Sequence, residues 1–221
     1  MTENPQEIDR EQWLADRVGK VTASKVHAVV RRKRDGKPYA DYDTYLWALV
    51  TERLTGRRVE VPTTWAMQRG VELEPLAAAE YEMQTDQPVT FSGFVDHVML
   101  PRTGCSPDRL VGSDGVLEIK CPLDKNYLEF FMSGSVPEQY YWQALLQMSC
   151  TGRHWVDIMY YHPDMPDDMQ MRIVRLERSK CEADIEIMMR RIEEFDREVC
   201  TAVTRCQHVG RELIGGRCEQ Q

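Results

Sequence analysis

No stretch of this 221-residue chain approaches 18 consecutive apolar residues, so nothing in it reads as a membrane-spanning helix. The opening Met1-Thr2-Glu3-Asn4-Pro5-Gln6-Glu7 has no basic region followed by an apolar stretch. A secretion signal is therefore not expected, and the expected compartment is the cytoplasm. Basic residues are outnumbered, 28 against 36 acidic, for a net charge of −8. That balance excludes a protein that coats polyanions indiscriminately, and any contact with phosphate has to be local. Seven cysteines include no Cys-x-x-Cys pair, which argues against a disulfide framework or a zinc ribbon and suits buried small hydrophobes. No internal repeat is present.

What is present is enough apolar residue, 42% of the chain, to bury one substantial core. We read a single domain over 1–210 and a flexible tail over 211–221. Trp13, Leu14 and Val18 mark an early helix. Ser24 is expected to cap a second, which carries Val26, Val29 and Val30. Tyr42, Tyr45, Leu46, Leu49 and Leu54 recur at three and four over a helix at 39–55, which makes them core. A Pro-containing link at 57–64 precedes a helix at about 69–85. Strands are expected at Val89–Phe91, Phe94–Met99, Arg109–Val111 and Val116–Cys121, all in the sheet that carries the site, with Trp155–Tyr161 and Met169–Leu176 extending it. Helices at 126–133, 138–149 and 180–206 cover it. The last carries Ile185, Met188, Met189, Ile192, Phe195 and Val199 as its apolar stripe. The fold class is α/β, a mixed central sheet flanked by helices.

The segment Ser106-Pro107-Asp108 followed by Val116-Leu117-Glu118-Ile119-Lys120-Cys121-Pro122 is the most informative in the chain. Strand alternation puts Glu118 and Lys120 on one face and Leu117, Ile119 and Cys121 on the other, one face core and one charged. Gly112 and the favoured turn pair Asp114-Gly115 suggest a hairpin that brings Asp108 beside Glu118. Two carboxylates and the Ile119 carbonyl are hard oxygen donors of the kind Mg²⁺ takes. Lys120, on the same face, can orient or help deprotonate a water and offset charge building on a phosphate. Alone, Glu-x-Lys is commonly a solvated ion pair and Pro-Asp a turn.

These residues resemble the core of the PD-(D/E)xK nuclease superfamily and, more narrowly, the phage lambda exonuclease family (YqaJ-like viral recombinases and alkaline exonucleases). The resemblance extends to Arg17-Val18-Gly19, Val21-Thr22-Ala23-Ser24-Lys25-Val26-His27, Gly70 with Glu74, and Gln143 followed by Met148 and Thr151. It covers roughly 11–200. It implies a restriction-endonuclease-like nuclease fold and a 5′-to-3′ exonuclease acting processively on one strand of linear duplex DNA. The expected products are 5′-mononucleotides and a 3′ single-stranded overhang, made in a bacterial host cell during phage-type recombination.

By the same resemblance Mg²⁺, or Mn²⁺ in its place, is held as one or two ions by Asp108, Glu118 and Ile119. Glu74 and Gln143 join Asp108, Glu118 and Lys120 in the catalytic set. Arg17, Thr22 and Ser24 form a pocket for the 5′-phosphate, with Ser106, Arg34 and Met67 as further DNA contacts. Met67 stands where the family places an apolar wedge. Leu145 departs from the family pattern, standing where it has a second glutamine. The cluster Arg31-Arg32-Lys33-Arg34 with Lys37 reads as a helix terminus or as a phosphate contact. Cys200, Cys206 and Cys218 lack the spacing of the iron–sulfur sites some related nucleases carry. The implied partners are duplex DNA ends, two further copies in a homotrimeric ring and a single-strand annealing protein. Two other readings stay open, a PD-(D/E)xK endonuclease and a noncatalytic DNA-end-binding recombination scaffold.

Overall fold

Arg109–Val111 (β5) and Gly115–Lys120 (β6) form an antiparallel hairpin, with Arg109 opposite Leu117 and Val111 opposite Gly115. The structure, a computed structural model, describes residues 10–59 and 62–218. The turn is the three residues 112–114, with Gly112 at φ +48. Gly112 therefore supplies the positive φ, and Gly115 is already in the strand, so the expected Asp114-Gly115 turn lies one residue earlier.

Around this hairpin lies a five-stranded sheet in the order β2-β5-β6-β7-β8, where β2 is Val89–Thr90, β7 Trp155–Tyr161 and β8 Met171–Glu177. Strand β6 pairs parallel to β7, and every other pairing is antiparallel. The sheet is mixed and flanked by helices, as expected.

The segment 94–99 departs from expectation. Only Val95–Asp96 (β3) is strand, and it belongs to a second sheet with Val21–Thr22 (β1) and Thr103–Cys105 (β4), in the order β1-β4-β3. The chain turns after Asp96 because the buried His97 ring accepts the Met99 and Leu100 N–H groups through Nδ1. Gly104 is required in β4. A Cβ there would lie 2.4 Å from the Phe94 ring and 2.7 Å from the Val95 carbonyl.

The helices are α1 (Arg10–Ala15), α2 (Val26–Val30), α3 (Ala40–Thr55), α4 (Trp65–Thr85), α5 (Asp124–Ser133), α6 (Glu138–Thr151) and α7 (Glu182–Cys218). Ser24 caps nothing. It sits inside a 3₁₀ turn, Ala23–Lys25, and α2 begins after Lys25 without a side-chain cap. Helix α4 starts four residues earlier than its apolar pattern suggests, because the Thr64 hydroxyl accepts the Met67 N–H at 3.2 Å and so satisfies a free donor of the first turn. Helix α7 runs on to Cys218 through the first part of the segment read as a tail, and residues 219–221 lie outside the described ones.

Both faces of the central sheet are covered. Leu117 and Ile119 pack with Met159 and Tyr161 against Ala77, Ala78 and Tyr81 of α4. Val116, Ile158 and Tyr160 lie in the larger core with α6 and α7. Burying each such side chain is worth roughly 1.5–3 kcal/mol. The charged face of β6 is consequently enclosed, and Glu118 is only 2% exposed, unlike the solvated ion pair that Glu-x-Lys alone commonly forms.

Candidate active site

The register that pairs Arg109 with Leu117 places Asp108 across from Glu118. Strand β5 has left the ladder there, and the Ile119 N–H donates to Asp108 Oδ2 at 2.6 Å. In a strand the N–H and C=O of one residue point to the same side, so the Ile119 carbonyl faces Asp108 too. Glu118 is held on both oxygens. Gln143 Nε2 and the Lys120 ammonium donate to Oε1, and Gln147 Nε2 donates to Oε2, the two amide bonds being 2.5 Å long. The Lys120 ammonium also lies 4.5 Å from the Tyr140 ring centroid.

Gln147 was missed in the sequence, which put the weight on Leu145. Leu145 is a fully buried core residue, whereas Gln147 lies one turn after Gln143 on the same face of α6. The i, i+4 repeat of glutamine was the signal. Glu74 approaches from α4, paired with Arg109 Nη1 at 2.5 Å.

Burial pushes the Asp108 carboxyl well above its usual range, helped by the nearby charges of Glu118 and Glu74. Burial alone would lower the pKa of Lys120, but Glu118 and Asp108 outweigh it and hold the ammonium above the ordinary lysine value. Lys120 is thus a fixed cation in this arrangement, suited to orienting water and offsetting charge more than to taking a proton.

Three carboxylates, Asp108, Glu118 and Glu74, face two cationic side chains, and the bonds described for Asp108 bring it no cation. This is the donor chemistry and the charge deficit a hard divalent ion fits. Among the described residues no three His, Cys, Asp or Glu side chains form a cage that would hold an ion alone.

A second group of residues assembles beside this cluster. Parallel pairing of β1 with β4, Thr22 opposite Gly104, carries Ser24 towards Ser106. Arg17 bridges them, donating to Ser106 Oγ at 3.0 Å and to Ser24 Oγ at 3.4 Å, and its guanidinium stacks over Trp13 at 4.3 Å. Arg17, Thr22, Ser24, Lys20, Lys25 and Arg58 line a cavity of about 260 Å³. Burial lowers the pKa of Arg17, and the charge of Arg58 lowers it further.

Not every expected contact joins these two groups. Met67 is 52% exposed on the first turn of α4, at i−7 from Glu74 and so on its face. Arg34 stands exposed in a turn closed by the Gly36 N–H on the Lys33 carbonyl. Its neighbours Arg31 and Arg32 are occupied, Arg31 by Asp41 at 2.5 Å and Arg32 by the Val29 and Arg31 carbonyls. The basic cluster is therefore not a uniform phosphate-binding patch.

A family model described as the YqaJ-like viral recombinase domain matches residues 12–154. Among solved structures, the alkaline exonuclease LHK-Exo from Laribacter hongkongensis is 39% identical over 92% of this chain and 99% of its own, with a TM-score of 0.82. The structure of LHK-Exo in complex with dAMP matches over the same shares at 38% identity and a TM-score of 0.83. A phage related exonuclease from Haemophilus somnus 129PT, 14% identical over 83% of this chain and 96% of its own, shares the fold with a TM-score of 0.65. No curated protein matches the sequence significantly.

Proposed function

The chain belongs to the YqaJ-like viral recombinase family and is a nuclease of the lambda exonuclease type; from that premise we propose that it removes nucleotides one at a time from 5′-phosphorylated ends of linear duplex DNA. The observation that carries this reading is the bond from Arg17 to Ser106, two residues before Asp108. Two residues span at most about 7 Å, on the order of one nucleotide step. A terminal phosphate held by Arg17, Ser24 and Ser106 sets the next phosphodiester over Asp108 and Glu118.

In this reading Asp108, Glu118 and the Ile119 carbonyl hold Mg²⁺, which Mn²⁺ replaces, with Glu74 beside them for a second ion. When bound, the ion polarises the phosphodiester and lowers the pKa of water at the site. The protein's own groups do the rest. Gln143 and Gln147 hold the two oxygens of the Glu118 carboxylate in one orientation. Lys120 orients the water and offsets charge growing on the phosphate oxygens. Tyr140 keeps the ammonium over the site, and Arg17 stops the strand from sliding. Met67, exposed on the first turn of α4 and on the same face as Glu74, would lean on the last base pair in this reading.

The product expected is a 5′-mononucleotide, the chemical class of the dAMP in the related LHK-Exo complex. The other strand is left as a 3′ overhang for a single-strand annealing protein. Processivity, a homotrimeric ring around the DNA and action in the cytoplasm of a bacterial host belong to the same proposal and rest on the family resemblance. The test is a mixture of linear and covalently closed duplex in Mg²⁺, with EDTA as control. Loss of the linear DNA alone, stopped by EDTA, is expected; cleavage of the closed circle would refute end dependence.

A further inference from the structure

Arg109 is the first residue of β5 and pairs with Leu117, so its side chain lies on the face that α4 covers, at the end of the strand next to Asp108. There Nη1 donates to Glu74 Oε1 at 2.5 Å and to the main-chain carbonyl of Asp108, and the guanidinium lies 5.5 Å from the Phe91 ring centroid. The Arg109 side chain is 14% exposed and that of Glu74 29%, dry enough for the pair to escape most screening. The three carboxylates are therefore not equivalent. Glu118 is neutralised by Lys120, Glu74 by Arg109, and Asp108 receives the Ile119 N–H.

On the reading of this cluster as a nuclease centre, we infer that Arg109 is a positioning residue that competes with the divalent cation for Glu74 and keeps the site's affinity for free ion low. A cation arriving beside Asp108 meets a Glu74 already engaged and a fixed positive charge within the same cluster. Both effects oppose it. Substrate phosphate adds the negative charge that Arg109 offsets, so ion and DNA are expected to bind together more readily than either alone.

Calorimetric titration of the DNA-free protein with Mn²⁺ alone tests this. Arg109→Gln removes the charge and keeps most of the stem; it should tighten Mn²⁺ binding by about fivefold or more. In a Glu74→Gln background the same substitution should give no more than about a third of that gain, because the competition has lost its object. Unchanged or weaker binding in R109Q, or an equal gain in both backgrounds, would overturn the inference. A role confined to structure would lower the melting temperature without moving the Mn²⁺ affinity. Should R109Q melt too early to titrate, Arg109→Met, which fills the apolar space beside Phe91, is read by the same criteria. Asp108→Asn tests the premise separately. If Mn²⁺ binding survives that change untouched, the nuclease-centre reading fails whatever R109Q does.

Discussion

Replacing Arg17 with alanine should erase the preference for phosphorylated ends while leaving hydrolysis itself in place. The guanidinium donates to two hydroxyls, Ser106 at 3.0 Å and Ser24 at 3.4 Å, and the bonds described for it include no carboxylate, so its charge is available to a ligand. A hydrogen bond from a charged donor to phosphate contributes roughly 1.5–3 kcal/mol. At about 1.4 kcal/mol per factor of ten, losing it should cut kcat/KM on a 5′-phosphate duplex by about 10- to 150-fold. On a 5′-hydroxyl duplex the loss should be slight, because that end never made the contact. Losing the two bonds to hydroxyls should cost about 1–3 kcal/mol of stability, at about 0.5–1.5 kcal/mol for each. Arg17→Lys keeps the charge and loses the fork, so it should fall between. The assay is the ratio of kcat/KM on the two ends. An equal fall on both ends, with the ratio unchanged, would refute the pocket.

Two further substitutions read the site and its scaffold separately. In metal-free buffer, burial and the charges of Glu118 and Glu74 raise the Asp108 pKa, so the folded protein keeps this proton to a higher pH than the unfolded chain does. Stability from this group is then full below the unfolded value, near pH 4, and is lost as pH rises through the folded value. Asp108→Asn removes that loss. It should melt above the native protein at about pH 8 and together with it near pH 4, while abolishing hydrolysis; equal melting at the higher pH would contradict the assignment. Arg175→Ala addresses the scaffold, since Arg175 Nε and Nη2 each bond the buried Asp157 at 2.7 Å, beside the Tyr81 hydroxyl at 2.7 Å. Stranding that carboxylate should cost about 2–3 kcal/mol, less than the full price of a buried pair because Arg175 is 42% exposed. Thermal unfolding should show a drop of about 5–10 °C with unchanged end preference.

The parts of the fold legible in the sequence were those set by local periodicity. The apolar–charged alternation of 116–121, the stripe of α7 and the glutamine-bearing helix at 138–149 each appeared where their patterns put them. What stayed hidden depends on tertiary pairing. Strands β1 and β3 have two residues each and β4 has three, too few for any period. Yet the β1–β4 pairing is what brings Ser24 towards Ser106. The enclosure of Glu118 was missed for the same reason, because Glu-x-Lys looks identical on a wet and a covered face until α6 is laid over it. Gln147 was visible as an i, i+4 partner of Gln143 but was passed over in favour of a position, Leu145, that faces the core. Arg109 carries no motif, and only the packing of α4 over β5 reveals that it reaches Glu74.

The most direct test is digestion of a linear duplex carrying a 5′-phosphate on one end only, in Mg²⁺, by the native chain and by Lys120→Ala. The account predicts mononucleotides released from the phosphorylated strand alone, with the release lost in the variant. Equal release from both ends, internal cuts, or undiminished digestion by Lys120→Ala would contradict it.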